Sequence, residues 1–417
     1  MSAQTKRSPG VRSCVIVVEN LPVPFDRRVW QEACALRDAG WRVSVICPAT
    51  DKYPVRFERL EGIDVWRHPL PLEADGKFAF LVEYLAALFH EARLLVKVWR
   101  GAGFDVIHAC NPPDLIFLLA LPFKLLGKKF VFDHHDICPE LYEAKFGKRG
   151  LFWNILSWCE RATFRAADLV ISANDTFREL AISRGGKRPE DVTTVYSVPT
   201  STRMRRTEAD PAVRDGCRLV VGYIGIIGGQ DGVDHLVRAV AELARDPACE
   251  GVRTVVVGDG PALPGVRALA EELGVADRMV FTGYLSGDAL LAAVSSFDVG
   301  VIPDPLNVYN DKISMNKVFE YAALGLPFAA YPLSETRRLA SDAAVYAQGD
   351  QPEQLAAAVR TLIVDEALRR RTAERSAAVA AERFSWPREA AKLTAAYDRL
   401  VAPPALVAET APAEAAA

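Results

Sequence analysis

The residues best suited to do chemistry lie in one stretch, DKISMNKVFEYAALGLPFAAY, from Asp311 to Tyr331. Ser314 has the side chain of a helix cap, because its hydroxyl can accept a hydrogen bond from an early helix amide. The amides of Met315, Asn316 and Lys317 would then leave the first turn without partners, and such an end attracts phosphate. Lys317 adds a positive charge, and Glu320, three residues on, shares its face. Gly325 and Pro327 stop the helix, and 328–331 read as a buried strand. A phosphate-binding turn with a carboxylate one turn deeper suits a ligand carrying both phosphates and sugar hydroxyls. The plain alternative is an amphipathic helix with one solvated Lys and one solvated Glu.

Other constellations could join it. GIIGGQDG, 225–232, falls between a strand and a helix. Gly228 and Gly229 would let the backbone approach a pyrophosphate, Gln230 sits in the same turn, and Asp231 could cap the following helix. The stretch matches neither GxGxxG nor a P-loop, and a tight turn that only needs positive φ is the alternative. Gly258, Asp259 and Gly260 form a second strand-to-helix turn, with a structural role equally open. HHDICPELY brings His134, His135, Asp136 and Glu140 to the rim of a sheet. Histidine there serves sugar recognition or proton transfer. No companion ligands stand at metal-site spacing. Asp26, Arg27 and Arg28 follow the first strand. One Arg can pair with a carboxylate and the other can face a phosphate or the acceptor, or the group is a plain surface salt bridge. Glu335, in a later loop, is a further candidate that could equally be solvated.

The elements that must hold these residues alternate. Apolar runs at 13–18, 41–48, 63–67, 105–108, 129–133, 168–172 and 192–198 read as strands. Helical spacing falls between them at 29–39, 78–100, 115–126, 151–167 and 175–184. Residues 201–216 are charged and aperiodic and read as the linker region. The pattern then restarts, with strands at 218–224, 252–257, 279–282, 299–302 and 328–331 and helices at 233–245, 263–273, 288–296, 354–364, 366–383 and 386–400. Strand–helix–strand units with short links imply parallel sheets. The expectation is two facing doubly wound α/β domains, 1–200 and 201–385, with ligands outside the carboxyl ends of the strands. The low-complexity tail, 401–417, is expected to be disordered.

Composition bounds the rest. The chain has 417 residues and a net charge of -3, which argues against general nucleic-acid binding. Its eight cysteines are scattered without a CxxC pair and read as reduced core residues. The polar N-terminus lacks the apolar core of a signal peptide, and no run is long and apolar enough to span a bilayer. A cytoplasmic protein is the expectation. Apolar residues 115–126, with Lys124, Lys128 and Lys129 at their end, leave room for peripheral contact with anionic membrane.

Taken together, PFDRRVWQEACALRDAGWRVSVICP, FDHHDICPELY, ADLVISAN, YIGIIGGQDGVDHLVRAV, VVVGDGP, FTGYL, ISMNKVFEYAALGLP and FSW resemble a retaining family 4 glycosyltransferase of the GT-B fold. The resemblance covers about residues 15–397. It implies a UDP- or GDP-sugar donor bound mainly by the second half, a glycan or lipid-linked acceptor on the first, and a closing helix, 386–400, that returns to the first half. It implies no cofactor and no metal, and a front-face reaction without a protein nucleophile. Glu320 matches the second glutamate of the family's spaced pair, which holds the donor ribose. The first would fall at Lys312, a departure shared by a subgroup with an SxxNK segment before EY. There Asn316 and Lys317 occupy the turn beside the diphosphate. Gln230 stands where many relatives have lysine, so Lys317 would supply that charge. His135 best matches the family histidine near the reacting sugar, with His134 a close competitor. The site residues implied are thus His135, Lys317 and Glu320 for catalysis. The rivals are a nucleotide-sugar epimerase of the same architecture and a non-catalytic sugar-nucleotide sensor.

Overall fold

A computed structural model describes residues 11–69 and 77–401. The ten N-terminal residues and nearly all of the tail expected to be disordered lie outside the described residues.

The first half is an eight-stranded sheet. Its strands are β1 (Ser13–Val17), β2 (Arg42–Ala49), β3 (Phe57–Leu60), β4 (Ile63–Pro69), β5 (Val106–Cys110), β6 (Lys129–His134), β7 (Leu169–Ser172) and β8 (Val192–Thr194). They lie in the order β3-β4-β2-β1-β5-β6-β7-β8, parallel except for β3, which runs antiparallel to β4. The second half is a six-stranded parallel sheet of β9 (Leu219–Ile224), β10 (Val252–Val257), β11 (Met279–Gly283), β12 (Val299–Ile302), β13 (Phe328–Ala330) and β14 (Ala344–Tyr346). Its order is β11-β10-β9-β12-β13-β14. Two parallel-sheet α/β domains, the GT-B arrangement, are therefore present. The inner strands are buried on both faces, which is why β1 and β9 read as nearly continuous apolar runs.

Strand order reverses between β1 and β5 in one half and between β9 and β12 in the other. Crevices form at such switch points. The loops leaving β9 and β12 are 225–232 and 303–315, so the glycine turn and the start of the helix Asn316–Ala323 share one crevice. They are in close contact: a Cβ on Gly232 would lie 2.1 Å from the Pro303 carbonyl oxygen, and Gly232 has φ +66°. Only glycine satisfies both demands.

The last helix, Trp386–Val401, packs on the first-half helix Arg27–Asp38. Leu393, Ala396 and Tyr397 are buried in the core with Val29, Leu36 and Val45, and Trp41 meets Tyr397 edge-on at 5.1 Å.

Some elements differ from the sequence reading. β3 and β4 form a hairpin at Glu61–Gly62, both at positive φ, where the sequence suggests one strand. The expected loop after β6 contains the helix Cys138–Phe146, and Ser334–Ala340 is also helical. Both are short, and their periods are masked by Pro139 and by charge. β14 has three residues and sits at the sheet edge, below the length at which a strand pattern shows.

Candidate active site

The two halves meet through polar side chains from the loops just described. Tyr309 donates to Asp136 Oδ1 at 2.7 Å. Lys312 Nζ lies 3.1 Å from Glu140 Oε1. Asn174 donates to the Lys312 carbonyl at 2.9 Å, and Thr176 to Glu335 Oε2 at 2.6 Å. Arg27 reaches across to Glu320 Oε1 at 3.6 Å.

Glu320 is 6% exposed and Arg27 half-exposed, so this carboxylate sits at the cleft wall with one long ion pair. Arg203, from the segment joining the halves, also acts on it. Burial, together with the like charge of Arg27, lowers the Arg203 guanidinium to about 10. Beside them opens a cavity of about 260 Å³. Arg27, Lys52, Tyr53, Arg203 and Tyr284 line it. Lys52 Nζ stands 5.8 Å from both the Tyr53 and the Tyr284 ring centroids.

The helix Asn316–Ala323 begins one residue later than expected. Its cap is Met315, with extended φ and ψ and no side-chain bond. Ser314 therefore does not cap. Its hydroxyl turns to Glu335 Oε1 at 3.4 Å. Asn316 is exposed at the first turn. Lys317 points the other way: it is buried, 3.2 Å from Asp304 Oδ2 and 5.0 Å from the centre of the Tyr223 ring. Burial pushes Asp304 up to about 6 despite the pull of Lys317. The expected free ammonium is thus already balanced, because a buried cation needs a partner.

Gly228, buried, donates its amide to Asp231 Oδ2 at 2.9 Å, so Asp231 closes the turn while Gly232 takes the cap position. Gly229 and Gln230 are exposed, with open space beyond the Gly229 Cα. Gly258 presses on Gly225, where a Cβ would meet the carbonyl oxygen at 1.8 Å. Its role there is steric. Asp259 is exposed and accepts from the Gly260 amide.

In the first half, alternation along β6 separates the two histidines. Asp133 and His135 turn one way, and Phe132 and His134 the other. His135 is partly exposed and its Nε2 lies 2.5 Å from Asp133 Oδ2. His134 is fully buried among Phe132, Phe164 and Phe177, with rings 4.9 to 5.4 Å away. It cannot touch an acceptor, which corrects the sequence reading. Arg28 is likewise corrected. It is buried and donates to Asp133 through Nε and Nη2 at 3.2 and 2.8 Å. Of the two candidate arginines, Arg28 takes the carboxylate and Arg27 faces the cleft. Glu140 is held by Arg184 at 2.9 Å and by Lys312, and these cations keep it below its usual value against the effect of burial.

Asp133, His108 and Tyr397 form the support that the sequence reading missed. His108 Nδ1 lies 2.6 Å from the Tyr397 hydroxyl, and its Nε2 3.3 Å from Asp133 Oδ2. Burial alone would raise Asp133, but Arg28 and then the histidines hold it well below the usual carboxylate range. An acid inside the apolar run KFVFD was the available signal, since a buried charge requires partners. His108, Cys110 and Asp133 also place three buried ligand atoms within 4.8 Å of one another. The set does not suit a cation: Arg28 already neutralises Asp133, and burial pushes the Cys110 thiol well up.

Comparison with known proteins agrees with this architecture. Residues 26–197 match the glycosyl transferase 4-like domain, and residues 218–365 match glycosyl transferases group 1. The chain belongs to the GT-B glycosyltransferases. It is 29% identical over 286 residues to 2-deoxystreptamine glucosyltransferase of Streptomyces kanamyceticus, covering 64% of this chain and 70% of that protein. Its fold is that of sucrose-phosphate synthase from Thermosynechococcus elongatus, with a TM-score of 0.77 at 16% identity over 93% and 99% of the two chains. It is also that of Anabaena HepE in complex with UDP-glucose, with a TM-score of 0.66 at 15% identity over 93% and 99%. The epimerase alternative is not favoured by these matches.

Proposed function

We propose that this glycosyltransferase moves a hexose from a nucleoside-diphosphate donor to a hydroxyl, with retention at the anomeric carbon. The contact that best supports the reading is Arg27 of the first half reaching Glu320 of the second, with the 225–232 turn packed on the loop that leads to Met315–Lys317 and Tyr309 of that loop bonded to Asp136, next to His135. Glu320 accepts from the ribose hydroxyls once Arg27 turns to the phosphates. The departing diphosphate meets the first-turn amides, the glycine backbone, Arg27 and Arg203. Lys317 and Asp304 form a neutral pair that fixes the turn from below. His135, braced by Asp133, faces the donor sugar. The scheme calls on no metal, because amides and guanidinium groups do the neutralising. The UDP-glucose complex of the Anabaena protein supports a nucleotide-sugar donor.

The acceptor in this reading is a lipid-linked or cell-surface glycan precursor, met by a cytoplasmic enzyme at the membrane face. The SxxNK subgroup assignment belongs to the same reading. A small aminocyclitol acceptor is the second reading, favoured by the name of the Streptomyces relative.

A thermal-shift screen of UDP-, GDP- and ADP-sugars, followed by transfer assays with both acceptor classes, tests the proposal. One nucleotide sugar should stabilise the protein and be consumed only with acceptor, and the product should keep the donor's anomeric configuration. Isomerisation of the donor without acceptor would establish the epimerase instead. Binding without turnover on any acceptor would leave a sensor.

A further inference from the structure

The helix Leu151–Ala166 is built inside out. Its buried face carries Ser157, Glu160 and Thr163 as well as Cys159 and Phe164. Its outer face carries Leu151, Phe152, Ile155 and Trp158, which are 45 to 72% exposed. An amphipathic helix of a water-soluble domain does the reverse. The neighbouring helix Phe117–Lys124 buries an apolar face but also exposes Leu118 and Leu121, with Leu125, 89% exposed, one turn beyond. The helices touch, the Phe117 ring standing edge-on to Trp158 at 6.2 Å, so the two stripes join. A contiguous apolar face of this kind marks an interaction site.

Charge selects the partner. Lys129, Lys148, Arg161 and Arg165 are exposed and have no ion pair among the described residues. Arg161 and Arg165 follow Trp158 at i+3 and i+7, on the same stripe. The nearby acids are engaged elsewhere: Glu160 is buried on Arg184, Glu140 is in the cleft, and Glu143 is held by Arg149. An apolar centre rimmed by unpaired cations, in a chain of net charge -3, fits an anionic lipid surface. A second copy docked there would bring the same cations together, which opposes self-association.

We infer that this face docks on an anionic bilayer, with Phe152, Ile155, Trp158 and Leu125 in the headgroup boundary. The inference deepens the membrane-side acceptor proposed above and rests on that reading for its purpose, not for the docking itself. The helix Cys138–Phe146 follows the loop at His135 and packs on the docking helix, the Tyr142 ring standing 6.4 Å from that of Phe152.

Co-sedimentation of the full chain with phosphatidylcholine vesicles, with and without phosphatidylglycerol, tests this in the absence of any sugar donor. The chain should partition onto the anionic vesicles at low salt, with a blue shift of tryptophan emission, and leave them at high salt. The double variant Phe152→Ser, Trp158→Ser should lose partitioning by about tenfold or more. Arg161→Gln with Arg165→Gln, which alters only exposed side chains, should weaken binding and flatten its salt dependence. Thermal unfolding like the wild type certifies each variant's fold. Absence of binding, equal binding to neutral vesicles, undiminished binding by both variants, or a dimer that the serine variant dissolves would each overturn the inference. Donor turnover in solution is read separately. Its loss with docking intact counts against the transferase reading alone, and the opposite result against docking alone.

Discussion

A buried carboxylate held by one long ion pair can exchange that partner for hydroxyl groups at little cost. Glu320 is in that position, 3.6 Å from a half-exposed Arg27. Glu320→Ala should therefore weaken donor binding by about 10- to 100-fold, the loss of hydrogen bonds to a charged acceptor, while the unfolding midpoint barely moves. Unchanged affinity in calorimetry would contradict the ribose role. At this scale the sequence singled out the stretch 314–320 and the HHD cluster as candidates but not which atoms face the cleft. His134 and His135 could have been told apart by the two-residue period, since Phe132 marks one face of β6 as core and Asp133 marks the other as polar. The partners of Lys312 and Lys317 could not. Glu140 is 172 residues from Lys312 in the chain, and Asp304 meets Lys317 only through the course of the 303–315 loop.

Elements with clean apolar periods were legible, and short, charged or proline-led ones such as Cys138–Phe146 and Ser334–Ala340 were not, because too few of their positions show a period. The long helix Lys77–Gly101 carries a charge that its pattern does not explain. Glu91 is fully buried, and its oxygens have no hydrogen-bond partner among the described residues. Burial, with Glu19 adding to it, pushes its carboxyl well above 4.5. His68, 3.9 Å away, is itself held neutral by burial. The native state thus keeps a proton that the unfolded chain releases near 4.5. Stability should fall as pH rises from there towards the raised folded value, by about 1.4 kcal/mol per pH unit. Glu91→Gln removes this dependence. In denaturant titrations its advantage over the wild type should widen between about pH 5 and about pH 7. A constant difference would show that Glu91 is ionised in the fold.

For the whole molecule, the two-domain architecture followed from the restart of the strand–helix pattern, whereas the relation between the domains depends on contacts that no local pattern encodes. Lys312, where the sequence resemblance leads one to expect a glutamate, lies against Glu140. Lys312→Glu would set two carboxylates face to face. Small-angle scattering should then show a larger radius of gyration than for Lys312→Ala, with weaker donor binding. Identical profiles would mean that this pair does not help to hold the cleft shut. The return of the helix Trp386–Val401 to the first half carries the chain between the domains a second time. Both passages run side by side, for the Tyr196 ring lies 5.5 Å from that of Phe384. Paired straps of this kind behave like the two hinges of a door. Swinging about their common line is easy, while twisting out of plane stretches one strap or the other, so the jaws should meet in the same register every time they close.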